Sequence, residues 1–215
     1  VKVEIFSDIA CPFCYIGTRQ FAAALDGLPD TGEIELTWRS FQLDPTAPRR
    51  SEGDFYDHLT RKFGISRDEA RTMNDRVISM GHESDVEFDF ESAFAVNTFD
   101  AHRMLQLAGQ AGQAGQEAVL ADDFFGAYFT GSSDLSNPAE LVRLAVAAGV
   151  DPDRAAAVAA GDEFAEQVRT DQELAGILGI TGVPAFVFDR ATAVSGAQPV
   201  EVMREAIGRA LEPAA

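Results

Sequence analysis

The chain has two cysteines, and they stand three apart as Cys11-Pro12-Phe13-Cys14. They follow directly on the apolar-rich stretch Val1-Lys2-Val3-Glu4-Ile5-Phe6. A strand that turns straight into a helix here would put the first sulfur at the helix N-terminus and the second one turn further in. Two sulfurs so spaced can close a disulfide of normal length without moving the backbone. The unpaired N–H groups at the helix start favour the thiolate at the first position.

Spacing alone leaves other readings open. A structural zinc site needs four ligands, whereas His58, His82 and His102 are scattered and no further cysteine exists. Two inert core cysteines are another reading, since free Cys is often buried. The order strand, Cys-Pro-x-Cys, helix favours redox work, and in a reducing compartment a close pair is more often catalytic than a structural staple. A second element of interest is Thr181-Gly182-Val183-Pro184, placed just before the apolar run Ala185-Phe186-Val187-Phe188.

The elements that must hold these residues read as a strand–helix–strand unit, a helical middle, and a strand–strand–helix close. The first helix continues through Gln20-Phe21-Ala22-Ala23-Ala24-Leu25 and stops near Gly27 and Pro29. Pro12 is tolerated in its first turn, where the missing N–H costs nothing. Ile34, Leu36 and Trp38 then alternate with Glu33, Glu35, Thr37 and Arg39, the period-2 mark of a half-buried strand. From about 50 to 178 the pattern is helical. Ser66-Arg67-Asp68-Glu69 fits a capping box, and Asn137-Pro138 and Asp151-Pro152 each put an N-cap before a first-turn proline. Gly149 and Gly161 mark helix ends. The Ala-Gly-Gln repeats from Ala108 to Gln116 predict a loop or a frayed helix end. After Gly179 come a strand at 185–188, a turn at Asp189-Arg190, a second strand at 193–195 and a helix from Pro199 to about Leu211.

The totals restrict the function further. At 215 residues, with 46% hydrophobic and 24% charged positions, the chain suits one large domain or a domain with a sizeable insertion. Seventeen Lys+Arg against 35 Asp+Glu give a net charge of −18. Such a surface repels a phosphate backbone and an anionic membrane alike, so no nucleic acid and no membrane is expected as a partner. No apolar run approaches the roughly 20 residues that cross a bilayer. The first twenty residues lack the basic start, apolar middle and cleavage site of an export signal, and the chain is read as cytoplasmic.

With both elements in view, the chain resembles the thioredoxin superfamily, and within it the DsbA family, in particular its cytoplasmic FrnE-type members. Four stretches carry the resemblance: Ser7-Asp8-Ile9-Ala10-Cys11-Pro12-Phe13-Cys14-Tyr15-Ile16-Gly17, Asn97-Thr98-Phe99-Asp100-Ala101-His102-Arg103, Thr181-Gly182-Val183-Pro184-Ala185-Phe186, and Ser195-Gly196-Ala197-Gln198-Pro199. It implies an α/β thioredoxin fold over 1–48 and 179–215, with an all-helical insertion over 49–178 that covers the active site. It also implies a thiol–disulfide oxidoreductase acting on protein or peptide disulfides. In that role Cys11 is the exposed nucleophile and Cys14 the resolving thiol. A cis Pro184 lies against the pair, and Pro12, Phe13, Val183 and Pro184 border the substrate. Glutathione or a thioredoxin-type protein are the candidate recycling partners. No metal, nucleotide or flavin is implied.

Departures from the family pattern qualify these roles. Ile5 stands where thioredoxin and DsbA keep a buried carboxylate, six residues before the first cysteine, and Phe13 stands where DsbA has a thiolate-stabilising His. The expected potential therefore falls between about −270 mV, thioredoxin-like, and about −120 mV, DsbA-like. The alternative within the fold resembles glutathione-dependent 2-hydroxychromene-2-carboxylate isomerases and kappa-class transferases. Those carry Ser in place of Cys11, and the transferases have Ser-Asp where this chain has Ala197-Gln198. Asn97 reads as an N-cap, His102 as a partly exposed helix residue, and His58 and His82 as surface residues. Most of the sixteen phenylalanines are expected in the core, and a few in an apolar groove beside Cys11.

Overall fold

The structure, a computed structural model, describes residues 1–28, 34–110 and 115–212. Pro29, Glu33 and the centre of the Ala-Gly-Gln tract lie outside the described residues. Strand β1 (Lys2–Ser7) leads into α1 (Pro12–Asp26) and β2 (Glu35–Ser40). Seven helices follow: α2 (Phe55–Phe63), α3 (Arg67–His82), α4 (Phe99–Gln110), α5 (Gln116–Thr130), α6 (Pro138–Ala147), α7 (Pro152–Ala160) and α8 (Ala165–Ile177). Strands β3 (Ala185–Phe188) and β4 (Thr192–Ser195) and helix α9 (Val200–Leu211) close the described chain.

The sheet order is β2-β1-β3-β4, with β1 and β2 parallel and the other neighbours antiparallel. This is the α/β arrangement expected, βαβ then ββα with helices between. Central strands β1 and β3 are buried on both faces; β3 accordingly reads as an apolar run without alternation, whereas β1 carries the charged Glu4 within its buried stretch. One face, with Val3, Ile5, Phe186 and Phe188, packs on α1 and α9, where Phe21 stacks on Phe186 at 5.0 Å. The other face, with Phe6, Ala185 and Val187, meets Ala175 of α8. Glu4 shares that face and is bound by Arg39 Nε at 2.8 Å and Arg190 Nε at 2.7 Å. These bonds, Arg190 first, hold its carboxyl below the usual range and turn it away from the cysteines. The edge strand β2 departs from strict alternation: Trp38 is buried, yet Leu36 is 38% exposed.

The capping signals do what their residue types predict. Ser66 and Glu69 close a reciprocal box at the start of α3, and Asn137 and Asp151 accept N–H bonds at the starts of α6 and α7. A second box, Asp54 with Asp57, starts α2, and the Arg67 guanidinium bonds both carboxylates, tying the starts of α2 and α3 together. Neither the Asp54 box nor the Arg67 bridge follows from the sequence reading. Asn97 is not the N-cap in the expected position. It lies two residues before α4 and accepts the Phe99 N–H at 2.9 Å, while its amide donates to the Ala47 carbonyl. In the Ala-Gly-Gln tract, Ala108 to Gln110 belong to α4 and Gln116 opens α5. The main hydrophobic cluster runs without a break from the sheet face into α3, α4 and α5.

Candidate active site

Cys11 is the N-cap of α1, with extended backbone (φ −102°, ψ 111°) and Pro12 at the first helical position. Its N–H donates to the Asp8 carbonyl at 3.0 Å, and its carbonyl accepts the Cys14 N–H at 3.0 Å, so the Asp8–Cys11 turn flows into the helix. The Cys11 thiol donates to the Val183 carbonyl at 3.5 Å. The Val183–Pro184 bond is cis, as the resemblance implied. The loop is seated by the Gly196 N–H on the Pro184 carbonyl at 2.8 Å. Gly17 makes the close approach feasible: a Cβ there would fall 2.9 Å from Pro184 Cγ.

Both sulfurs are free thiols. Cys14 is fully buried, and burial first, then the neighbouring Cys11 sulfur, pushes its thiol well above the ordinary range. The Asp8 N–H and the Ser7 hydroxyl oppose that shift without reversing it, although Ser7 Oγ has no hydrogen-bond partner of ordinary length. The arrangement suits an asymmetric pair in which Cys14 keeps its proton while Cys11 reacts.

Cys11 itself corrects an expectation. It was expected to be exposed, and it is 4% exposed. The Val183 carbonyl covers it from the loop, and its remaining surface lines a groove of about 450 Å³. Pro12 and Phe13 also line that groove, and Phe13 is 41% exposed. Val183 and Pro184 are not among its walls; Val183 meets the sulfur directly. Phe55, Phe90 and Tyr128 form an aromatic floor, with Phe55 stacked on Phe90 at 5.2 Å. Some phenylalanines therefore do border Cys11, while Phe124, Phe125 and Phe129 are wholly buried. Tyr15, next to Cys14, stacks on Phe125 at 5.1 Å and ties the cysteine helix to α5. A depression of about 560 Å³ lies elsewhere, and one of about 540 Å³ adjoins the groove, sharing His58 and Lys62 with it; neither carries a cysteine.

Two histidines sit where the sequence reading did not put them. His102 is 2% exposed, and its Nε2 lies 3.3 Å from the Asp8 carboxylate. Asp8 also accepts the Thr98 hydroxyl at 2.7 Å, the Leu43 N–H at 2.7 Å and the Ala10 N–H at 3.3 Å. Gln42 extends this buried network to Asn97. It fixes the loop that carries Cys11 at a position displaced from Ile5, which is apolar and buried. The stretch from Asn97 to Arg103 carries part of the family resemblance, but nothing in its local pattern announces the contact with Asp8. His58 is half-buried and lines the groove. Burial, then the nearby Lys62 and Arg61, lower its imidazole below the usual range. His82 is exposed, as expected.

Comparison with known proteins agrees with this fold. A family model described as DSBA-like thioredoxin domain matches residues 2–208. The probable DsbA oxidoreductase SCO1869 from Streptomyces coelicolor is 37% identical, with a TM-score of 0.89 over 100% of this chain and 92% of that one. The cytosolic disulfide reductase DsbM from Pseudomonas aeruginosa, solved with GSH, superposes with a TM-score of 0.69 at 15% identity, over 98% of this chain and 99% of its own. A 2-hydroxychromene-2-carboxylate isomerase superposes equally well, 0.69 at 14% identity, over 97% of this chain and 95% of that one. At such identities the last two share the fold alone. The Bacillus subtilis (strain 168) protein YwbO is 35% identical over 46 residues, so the match spans only 21% of this chain and 21% of that protein.

Proposed function

The chain belongs to the DSBA-like thioredoxin domain family, and we propose that it is a thiol–disulfide oxidoreductase working through Cys11 and Cys14 on protein or peptide disulfides. One observation carries the reading. The Cys11 sulfur sits at a helix N-terminus, against the cis-proline loop and at the wall of a groove, with the buried Cys14 thiol behind it.

The reaction follows from that placement. The Cys11 thiolate attacks one sulfur of a substrate disulfide, forming a mixed disulfide and releasing the other sulfur as a thiolate that takes up a proton. Cys14, losing its proton, then attacks the Cys11 sulfur. This leaves a Cys11–Cys14 disulfide and frees the second substrate thiol, so two electrons have passed to the substrate. The reverse sequence oxidises a dithiol. Pairing of the Val183 backbone with an extended substrate would hold the segment in line, as strand addition does elsewhere. The residues 49–178 serve this reading as a unit that supplies the far wall of the groove, set on a thioredoxin-fold body at 1–48 and 179–215.

A cytoplasmic location fits a chain with one close cysteine pair, and cell fractionation tests it. Glutathione or a thioredoxin-type protein is the recycling partner this reading favours. The glutathione-dependent isomerase alternative has less support, because the Gln198 amide is engaged by the Ser195 carbonyl at 2.8 Å and Cys11 replaces a Ser. Reduction of insulin by the protein and by Cys11→Ser, each with dithiothreitol as electron donor, tests the proposal. Loss of at least about 100-fold in the variant supports it, and equal rates refute it.

A further inference from the structure

The wall of the groove opposite Cys11 has an unusual composition for this molecule. Among the described residues ten large apolar side chains are substantially exposed, and five of them, Phe13, Leu43, Phe63, Met73 and Met80, line this one groove. Helices α2 and α3 supply much of the apolar lining at helical spacing, Phe55, Leu59 and Phe63 on one and Met73, Val77 and Met80 on the other. Concentrated apolar exposure of this kind marks a binding surface, and the thioether side chains can adapt to varied apolar partners.

Charge then narrows the choice of occupant. The chain has 35 Asp and Glu, yet none lines the groove. Two cations do, Lys62 and Arg76. Both are exposed, and neither makes an ion pair among the described residues, whereas most of the other Lys and Arg side chains are bound to carboxylates. Asn74, 3% exposed on the same wall, turns its amide towards the Tyr56 phenol.

We propose that this groove selects a polypeptide segment in which a large apolar side chain adjoins the reacting cysteine and acidic residues flank it, with Lys62 and Arg76 setting the charge preference. The segment's apolar residue fills the space between Phe13 and the methionines, and its carboxylates meet the two cations. The overall charge of −18 does not forbid an acidic partner. At physiological ionic strength, repulsion from charges more than about 8 Å away is screened, and the nearest charges decide. The proposal rests on the oxidoreductase reading for its reactive centre, but the charge preference of the wall can be measured apart from chemistry.

Two readouts separate the two. Disulfide-linked dimers of peptides with the core Asp-Phe-Cys-Asp, Asn-Phe-Cys-Asn or Lys-Phe-Cys-Lys serve as substrates for kcat/KM. The same peptides with Ser for Cys, fluorescently labelled, give Kd. The expected result is an acidic-over-basic preference of at least about threefold in Kd. That preference should be lost in Lys62→Met/Arg76→Met and kept in Arg209→Met, whose side chain pairs with Glu205 on α9. A smaller preference, a basic preference, or one that survives the double variant overturns the proposal. A charge preference in Kd with no exchange on any peptide upholds the surface and refutes the oxidoreductase reading. Exchange with no charge preference does the reverse.

Discussion

At the scale of single residues, two cysteines three apart are treated very differently by their surroundings. Cys11 caps a helix and lines a groove, whereas Cys14 is sealed and its thiol is driven upward by burial. Iodoacetamide at pH 7 should therefore label Cys11 at least about tenfold faster than Cys14, read peptide by peptide in the mass spectrum, because only the thiolate is alkylated. Equal labelling would contradict the asymmetry. The placing of Cys11 and Cys14 at a helix start was legible because a four-residue motif is local, whereas the cis bond at Pro184 was implied by the family resemblance alone. The Asp8 network was not legible. Its acceptor and its donors Thr98 and His102 are about ninety residues apart, and no local period announces a contact made by tertiary packing. The burial of Cys11 was missed for a similar reason: the carbonyl that covers it belongs to Val183.

At the scale of elements, α1 and the proline loop are held in contact by what Gly17 lacks. Gly17→Ala places a methyl group against Pro184 Cγ and near the Ala197 backbone, at 2.9 and 3.4 Å. A rigid ring cannot yield as a flexible side chain would, so a loss of about 1–3 kcal/mol is expected in urea unfolding, with slower disulfide exchange. Unchanged stability would show that the loop relaxes freely. The start of α5 makes a second element-level prediction. Glu117 lies in its first turn beside the backbone of Trp38 in β2, and burial lifts its carboxyl from 4.5 to about 8. A carboxyl raised on folding keeps its proton longer in the native state than in the unfolded chain. Its contribution to stability is thus fully present below about pH 4.5 and is lost as pH rises towards about 8, at roughly 1.4 kcal/mol per pH unit at most. Glu117→Gln should flatten that part of the stability profile, and an unchanged slope would contradict the assignment. Helix starts such as Ser66, Asn137 and Asp151 were legible because a cap is local chemistry. The Arg67 bridge to Asp54 and Asp57 depends on how two helices pack, and only the structure supplies it.

At the scale of the whole molecule, a four-stranded sheet presents the cysteine loop and the proline loop side by side, and helices inserted between β2 and β3 wall the groove in front of them. The strand–helix–strand opening and strand–strand–helix close were readable from periodicity and punctuation. An apolar groove beside Cys11 was expected from the phenylalanines, but which residues wall it was not legible, because it is assembled from α1, α2, α3 and the segments around them. His58 shows the consequence: a residue read as surface becomes half-buried once α2 closes over the site. The account depends on Cys11 exchanging partners at that groove while Cys14 waits beneath it. Its most direct test is to incubate the Cys14→Ser variant with a disulfide-bearing peptide and weigh the protein. A peptide adduct on Cys11, absent from Cys11→Ser/Cys14→Ser and released by dithiothreitol, is the expected result. No adduct on Cys11 under conditions where free thiols react would contradict the account.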